Sequence, residues 1–192
     1  MILYVNGGDH AAAAEAANQY LYSSDDAKIN YLSGVPHPEN LAVSWGKLLS
    51  LSMRATLYCD ARRGATNERI MSETRDWLSD NKNSGNLIII QWVDFEDQVS
   101  EHEQIWNLHQ DLVDDGISHI FFNGDQPFDA VSTQYDWGIN YLSPYDAAGT
   151  YSNIIKENNI DTVSSDSKNF GKEGHSYFNR FMLQYIIDNK LI

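Results

Sequence analysis

Short apolar runs alternate along this chain with longer segments whose apolar residues recur at helical spacing. The runs predict buried β-strands at residues 2–6, 55–59, 86–92 and 117–123, with a weaker fifth at 160–163. The run at 86–92, NLIIIQW, is the most apolar stretch of the chain. Its β-branched residues lack polar alternation, which is typical of a central parallel strand covered on both faces.

The segments between these runs predict helices. Residues 11–17 are rich in alanine and follow the Gly7-Gly8 turn, as expected of a helix that starts directly after a strand. Helical spacing of apolar residues predicts further helices at residues 40–52, 67–78, 101–115, 151–158 and 174–189. Two polar or aromatic stretches, residues 20–38 and 126–149, are predicted to be loops.

This alternation of strands and helices predicts an α/β fold. Right-handed crossovers give a three-layer α/β/α sandwich around a flavodoxin-like parallel sheet of about five strands, in the order 2-1-3-4-5. The chain has 192 residues, no internal repeat and no linker-like stretch. We therefore expect residues 1–192 to form a single domain.

The charge balance narrows the range of partners. The chain carries 27 acidic and 13 basic residues, for a net charge of -14. This charge disfavours binding to nucleic acid and is compatible with cationic partners or with neutral partners such as sugars. Cys59 is the only cysteine, so the sequence predicts no internal disulfide, no zinc cluster and no cofactor.

The sequence contains no pattern that predicts a membrane location. We see no basic, apolar leader at the amino end and no apolar run of membrane-spanning length. The expectation is a protein without a signal peptide or transmembrane segment, in the cytoplasm or in a virion.

The predicted topology locates the functional site before any motif is considered. In a doubly wound sheet, ligands bind outside the carboxyl ends of the strands. That edge of the sheet, called the rim below, gathers residues 7–10, 62–67, 91–94 and 123–125. We also expect the segment around His175, which enters the last helix, to lie on this rim.

Four short blocks at these positions resemble the SGNH/GDSL hydrolase superfamily. They are VNGGDHAAAAEA, CDARRGATNERI, QWVD and FGKEGHSYFNRFML. The resemblance implies a serine nucleophile in the first block, oxyanion donors in the second and third, and a base histidine in the last. The overall pattern is also similar to an SGNH-like group common in marine tailed-phage genomes, which implies a virion component or another phage-associated protein.

The chain departs from the family at the residues that carry the chemistry. Gly8 stands where the family has Asp, and Asp9 stands where it has the nucleophilic Ser. In the third block Val93 replaces the family's Asn, although Asp94 remains. In the last block Lys172 replaces the Asp that orients the base.

The remaining residues of these blocks define candidate roles. Gly64 and His175 match the family's oxyanion glycine and base, and Asn67 could replace the missing oxyanion amide. Asp9 or His10 could act with His175, oriented by Glu173, although an acyl-aspartate would be a mixed anhydride and is a poor intermediate for ordinary acyl transfer. The candidate catalytic set is Asp9, His10, His175 and Glu173, and the candidate oxyanion and binding set is Gly8, Gly64, Asn67, Trp92 and Asp94.

Each of these residues also has a purely structural interpretation. Asp9 and Asn67 could cap helices, and Gly64 could simply permit a positive φ. A loop cluster could form a sugar-stacking wall or pack the loop down, namely Trp92, Tyr135, Trp137, Tyr141 and Tyr145. A metal site from Asp9, His10, Asp125 and His175 lacks a spacing signature. The other four histidines, His37, His102, His109 and His119, are interpreted as surface residues.

Three functions remain open from the sequence. The first is a degenerate SGNH-like domain without conventional serine esterase activity, which binds a carbohydrate or ester ligand or a virion protein. The second is an active ester hydrolase that uses Asp9 or His10 with His175. The third is a flavin- or nucleotide-binding domain, which the first loop disfavours because it lacks a phosphate cradle rich in Ser and Thr.

Overall fold

A parallel sheet of four strands forms the centre of the molecule. The computed structural model describes residues 1–17, 34–82 and 85–192. The strands are β1 (Ile2–Gly7), β2 (Thr56–Cys59), β3 (Leu87–Trp92) and β4 (Ser118–Asn123), in the order β2-β1-β3-β4. Val5 pairs with Cys59 on one side and with Ile89 on the other. The predicted 2-1-3-4 order is therefore confirmed.

Helices cover both faces of this sheet. They are α1 (Pro38–Ala42), α2 (Trp45–Ser52), α3 (Asn67–Asn81), α4 (Gln98–Asp114), α5 (Tyr151–Lys156) and α6 (Lys172–Asp188). The apolar residues of α2, α5 and α6 form one core with the sheet, and those of α3 and α4 form the other. The result is the predicted three-layer α/β/α sandwich. All six residues of β3 are buried, as the continuous apolar run predicted.

The weak fifth strand does not form in the described part of the chain. Thr162 makes only an isolated antiparallel bridge, to Phe170. The outer edge of β4 is met instead by the loop that follows it, since Tyr141 bridges in parallel to Phe121 and the Leu142 N–H donates to the Phe121 carbonyl at 2.9 Å. The prediction of a fifth strand was wrong because a nearer segment already occupies that edge.

The predicted helix at residues 11–17 is also absent. The segment is a series of tight turns in which Ala13 and Glu15 have φ angles of 53° and 64°. Positive φ ends a right-handed helix. Ala11, Ala12 and Ala13 are almost fully buried. Close packing of these small side chains against the sheet has thus overridden the helix propensity of alanine.

The predicted helix at residues 40–52 is two helices. Ser44 separates α1 from α2 and caps α2, because its side chain accepts a hydrogen bond from the Lys47 N–H. The predicted loop at 20–38 falls mostly on residues that the structure does not describe. Among the residues it does describe, no helix is long and apolar enough to cross a membrane.

Candidate functional site at the carboxyl ends of the strands

A cavity of about 240 Å³ opens on the rim, where the sequence predicted a site. It is called the rim cavity below. It is lined by residues from all four loops that follow the strands and from the segment before α6: Asp9, His10, Gly64, Ala65, Gln91, Val93, Asp94, Gly124, Asp125, Lys168 and Asn169. The parallel topology thus gathers these distant segments as expected.

Asp9 binds the backbone of the second loop. Its Oδ1 accepts a hydrogen bond from the Gly64 N–H at 2.7 Å, and its Oδ2 lies 4.0 Å from Arg63 Nε. Gly64 has a φ of 67°, and a Cβ at this position would meet no atom within 4 Å. Glycine therefore serves the backbone conformation here rather than a close approach. The N–H expected to receive an oxyanion is occupied by the carboxylate of this chain.

His10 lies beneath the cavity in a polar cluster. Its Nε2 is 3.3 Å from Asp125 Oδ1 and 3.4 Å from Ser152 Oγ, and the Ser152 hydroxyl donates to the same Asp125 oxygen. The His10 ring also stacks on Tyr151 with centroids 4.5 Å apart. Burial opposes ionisation of Asp125, but the bond and attraction from His10, with help from Ser152 and Lys168, hold the pKa of this carboxyl at about 2. Asp125 is thus a permanent anion of the site.

His175 lies below the rim and does not line the cavity. Its Nδ1 is 3.3 Å from the Trp45 backbone nitrogen, which donates to it, and 3.3 Å from the Tyr151 hydroxyl. Burial, with a smaller contribution from His10, lowers the pKa of His175 to about 3. Tyr151 separates it from His10 by contacting both rings. His175 therefore fastens the start of α2 to α6 as a neutral imidazole.

The remaining candidates divide between the cavity and other places. Gly8 is buried, and a Cβ there would lie 2.3 Å from a Val93 methyl group, so the close approach of the two loops requires glycine. Asp94 lines the cavity and lies 3.5 Å from Lys168 Nζ. Glu173 is exposed in the first turn of α6, away from the Nδ1 of His175, which is taken up by partners on other elements.

Asn67 and Trp92 do not face the cavity. The Asn67 side chain accepts from the Val93 N–H at 2.9 Å and donates to the Val93 carbonyl and to Glu101. The Asn67 amide thus fixes the end of β3 and does not serve as an oxyanion donor. Trp92 is fully buried against Phe121, with ring centroids 5.3 Å apart. The end of β3 takes up both side chains, and neither residue lines the rim cavity.

The aromatic loop at 126–149 packs down onto the domain. Trp137 and Tyr141 are 4% and 3% exposed, and Tyr135 stacks on Trp106 with centroids 4.4 Å apart. The Tyr145 hydroxyl accepts from the Tyr135 N–H and from Trp137 Nε1 at 2.7 and 2.8 Å. Of the two interpretations of this loop, the structure supports packing rather than a sugar-stacking wall.

Three of the histidines assigned to the surface are buried. His102, His109 and His119 lie between α4, β4 and the aromatic loop and are 3%, 3% and 1% exposed. An amphipathic pattern that places His102 and His109 seven residues apart on the face of Ile105 and Leu112 could have indicated this.

Several residues of the site were given no role from the sequence, although Gln91 was placed on the rim. Gln91 fixes the first turn, since its Oε1 accepts from the Ala11 N–H at 2.8 Å. Ser152 joins Asp125 from a segment far along the chain. Asn169 lines the cavity and is 7% exposed, and its buried Oδ1 has no hydrogen-bond partner among the residues that the structure describes. No local pattern marks any of the three.

Solved structures share this architecture at low sequence identity. No protein-family model and no curated protein matches the chain. A G-D-S-L family protein from Desulfitobacterium hafniense DCB-2 superposes with a TM-score of 0.63 at 12% identity, over 96% of this chain and 98% of that one. TesA matches with a TM-score of 0.59 at 10% identity over 100% of both chains.

A third structure is the psychrotrophic esterase EstA from Pseudoalteromonas sp., inhibited by monoethylphosphonate. It matches with a TM-score of 0.58 at 10% identity over 97% of each chain. All three likenesses extend over nearly the full length of both chains, so they concern the architecture of the domain and not one motif. The chain has the fold of the SGNH/GDSL hydrolases, with an aspartate in the first turn of its rim.

Proposed function

We propose that this chain is a degenerate SGNH/GDSL-like domain that binds a ligand in the rim cavity and does not perform serine-based ester hydrolysis. The observation that carries the proposal is the 2.7 Å hydrogen bond from the Gly64 N–H to Asp9 Oδ1. An oxyanion site needs a free donor where negative charge develops. A resident carboxylate satisfies that donor and repels an incoming oxyanion.

The nearby hydroxyl does not restore a catalytic triad. In such a triad the serine donates to one nitrogen of the histidine, and the other nitrogen donates to the carboxylate. Here Ser152 and Asp125 both meet the same nitrogen of His10, and the Ser152 hydroxyl donates to Asp125. Ser152 is also 4% exposed, which leaves it out of reach of a substrate carbonyl.

We expect no adduct with a fluorophosphonate probe and no measurable turnover of p-nitrophenyl acetate or acetylated sugars. The same negative result is expected for Asp9→Ser, because His10 Nε2 is held by Asp125 and His175 Nδ1 is held by the Trp45 N–H. Intact-mass spectrometry and a spectrophotometric assay measure both. The matched control is Asp9→Asn, which keeps an acceptor for Gly64.

Turnover by the wild-type chain that Asp9→Asn abolishes, with the fold intact by circular dichroism, would contradict this proposal. It would establish the alternative, an ester hydrolase that uses Asp9 or His10. A fluorophosphonate adduct on the wild-type chain would argue against both, because neither places a nucleophilic serine in the first turn.

The ligand class follows from the groups around the cavity. Acceptors predominate there, since Asp9, Asp94 and Asp125 contribute carboxylates and Gly64 has already donated its N–H. The net charge of -14 disfavours an anionic ligand. A neutral ligand with several hydroxyl donors, of the size of one sugar ring, suits such a lining. A virion is the setting that the phage resemblance suggests, and mass spectrometry of purified particles checks it.

A panel of methyl glycopyranosides tests the ligand class. We expect at least one member to shift the backbone amide resonances of Gly64 and Gly124 in two-dimensional NMR spectra, with a dissociation constant in the millimolar range or below. Asp94→Asn should weaken that binding about ten-fold, since it weakens an acceptor worth about 1.5 kcal/mol. Glu173→Gln, outside the cavity, is the matched control. Equal losses for both variants, or no shift with any glycoside, would exclude this ligand class.

A further inference from the structure

Three buried histidines fasten the aromatic loop to the rest of the domain. His102 and His109 lie on α4, and His119 lies on β4. His102 stacks on Tyr135 with centroids 4.8 Å apart, and Trp137 packs edge-on against His109 at 5.4 Å. The loop therefore rests in part on imidazole rings. Imidazole is the side chain whose charge changes most readily near neutral pH.

The hydrogen bonds of Tyr145 require His102 to be neutral. The Tyr145 oxygen accepts two bonds, from the Tyr135 N–H and from Trp137 Nε1. Its own proton is then directed at His102 Nε2, which lies 3.0 Å away. A hydroxyl has two acceptor positions and one proton, so these three bonds use its full capacity. A proton on His102 Nε2 would place two donors face to face.

The second pair of histidines imposes a similar condition. His119 Nδ1 lies 2.9 Å from the Ile117 carbonyl, so this nitrogen carries the proton. His119 Nε2 must then accept from His109 Nδ1, 2.8 Å away. Protonation of His119 would again set two N–H groups against each other, and protonation of His109 would bury a charge between Trp106 and Trp137.

We propose that His102, His109 and His119 form an acid-sensitive latch, which holds residues 135–145 against α4 and β4 when neutral and releases them when protonated. Both ends of the loop reach the polar cluster around His10, since Asp125 precedes the loop and Ser152 follows it. Release of the loop would therefore also disturb the cavity. The latch does not depend on what that cavity binds.

The surroundings of the three imidazoles favour this response. Burial lowers the pKa of His102, of His109 and of His119, the last to about 4. The Asp136 carboxylate, which belongs to the loop, raises the pKa of His109 against the effect of burial. For His119 the Ile117 carbonyl raises the pKa and His109 lowers it. Burial is therefore the main force that keeps all three rings neutral.

The size of the effect follows from the two states of the latch. The pKa of His119 is 6.5 in the released state and about 4 in the closed state. The equilibrium constant for release is therefore about thirty-fold larger at pH 5 than with His119 neutral in both states. Protonation of His102 and His109 adds to this factor. Release should therefore become progressively more favourable as the pH falls from about 6 to about 4.

Fluorine NMR of the chain labelled with 5-fluorotryptophan tests the latch. The chain has five tryptophans. Trp106 and Trp137 contact the latch, whereas Trp45, Trp77 and Trp92 belong to the helix and sheet packing and serve as internal references. We expect the resonances of Trp106 and Trp137 to change together as the pH falls from about 7 to about 4.5, before those of the three references.

Two substitutions give the controls. The double variant His102→Gln/His119→Gln keeps an acceptor near each Nε2 and cannot gain a proton at these two positions, so the acid response of Trp137 should be weakened to the contribution of His109. Asp136→Asn keeps the acceptor for the Gly138 N–H and removes the charge that stabilises protonated His109 in the closed state, so the midpoint should move to higher pH. A simultaneous change of all five tryptophans, or an Asp136→Asn midpoint equal to that of the wild type, would overturn the latch.

Discussion

Replacing His175 with alanine is expected to lower the free energy of unfolding by about 3 kcal/mol. His175 is 1% exposed, and its Nδ1 accepts from the Trp45 N–H and contacts the Tyr151 hydroxyl. The substitution leaves both polar groups buried without this partner and opens a cavity between α2, α5 and α6. Urea unfolding followed by circular dichroism measures the loss.

A matched variant separates the hydrogen bonds from the imidazole itself. His175→Asn places an amide oxygen near the position of Nδ1, so we expect it to recover roughly half of the lost stability. Glu173→Gln, in the exposed first turn of α6, should leave stability unchanged within about 0.5 kcal/mol. If His175→Ala were as stable as the wild-type chain, His175 would not anchor α2, and its place in the last block of the family would again favour a role as a base.

Acid should destabilise the domain, and His175 contributes to this loss over a defined window of pH. The pKa of His175 is about 3 in the folded chain and 6.5 without burial, so the unfolded chain takes up its proton first as the pH falls. The contribution of His175 to stability is then complete above about pH 7 and is lost between about pH 6.5 and about pH 3. The expected loss from this residue is about 2 kcal/mol at pH 5 and about 3 kcal/mol at pH 4.

The same asparagine variant tests this window. His175→Asn cannot take up a proton there, so its free energy of unfolding should fall about 2 kcal/mol less than that of the wild type between pH 7 and pH 5. Asp125 has a pKa lowered to about 2, so its contribution is lost only below about pH 4 and does not enter the comparison. Parallel losses for the two chains would show that His175 is already accessible to protons in the folded state.

The strands were predictable because a strand that is buried on both faces needs apolar residues at consecutive positions. β3 is the clearest case, since the run LIIIQW is fully buried. The strand order followed from the handedness of the crossovers, which depends on general chain geometry. The rim followed in turn, and the cavity gathers the loops after all four strands as expected.

Helical segments were predicted less well where packing competes with propensity. The alanines at 11–14 favour a helix locally, but the first turn is held by the bond between the Ala11 N–H and Gln91 Oε1. Ser44 ends one helix and begins another within a continuous apolar pattern. The Gln91 partner lies outside the local window on which a helical pattern depends, whereas the Ser44 cap is a local signal, since it accepts from the Lys47 N–H three residues away.

Sequence by itself determined the three-layer fold, which loops gather at the rim and the absence of serine at the first turn. Only the tertiary structure decided which side chains meet there: Asp9 turns to Gly64, Asn67 turns to Val93, and His175 turns inward to Trp45. The physical reason is the separation along the chain over which each effect acts. Hydrophobic periodicity is a property of neighbouring residues, whereas a polar side chain takes whichever partner a distant segment brings within about 3 Å.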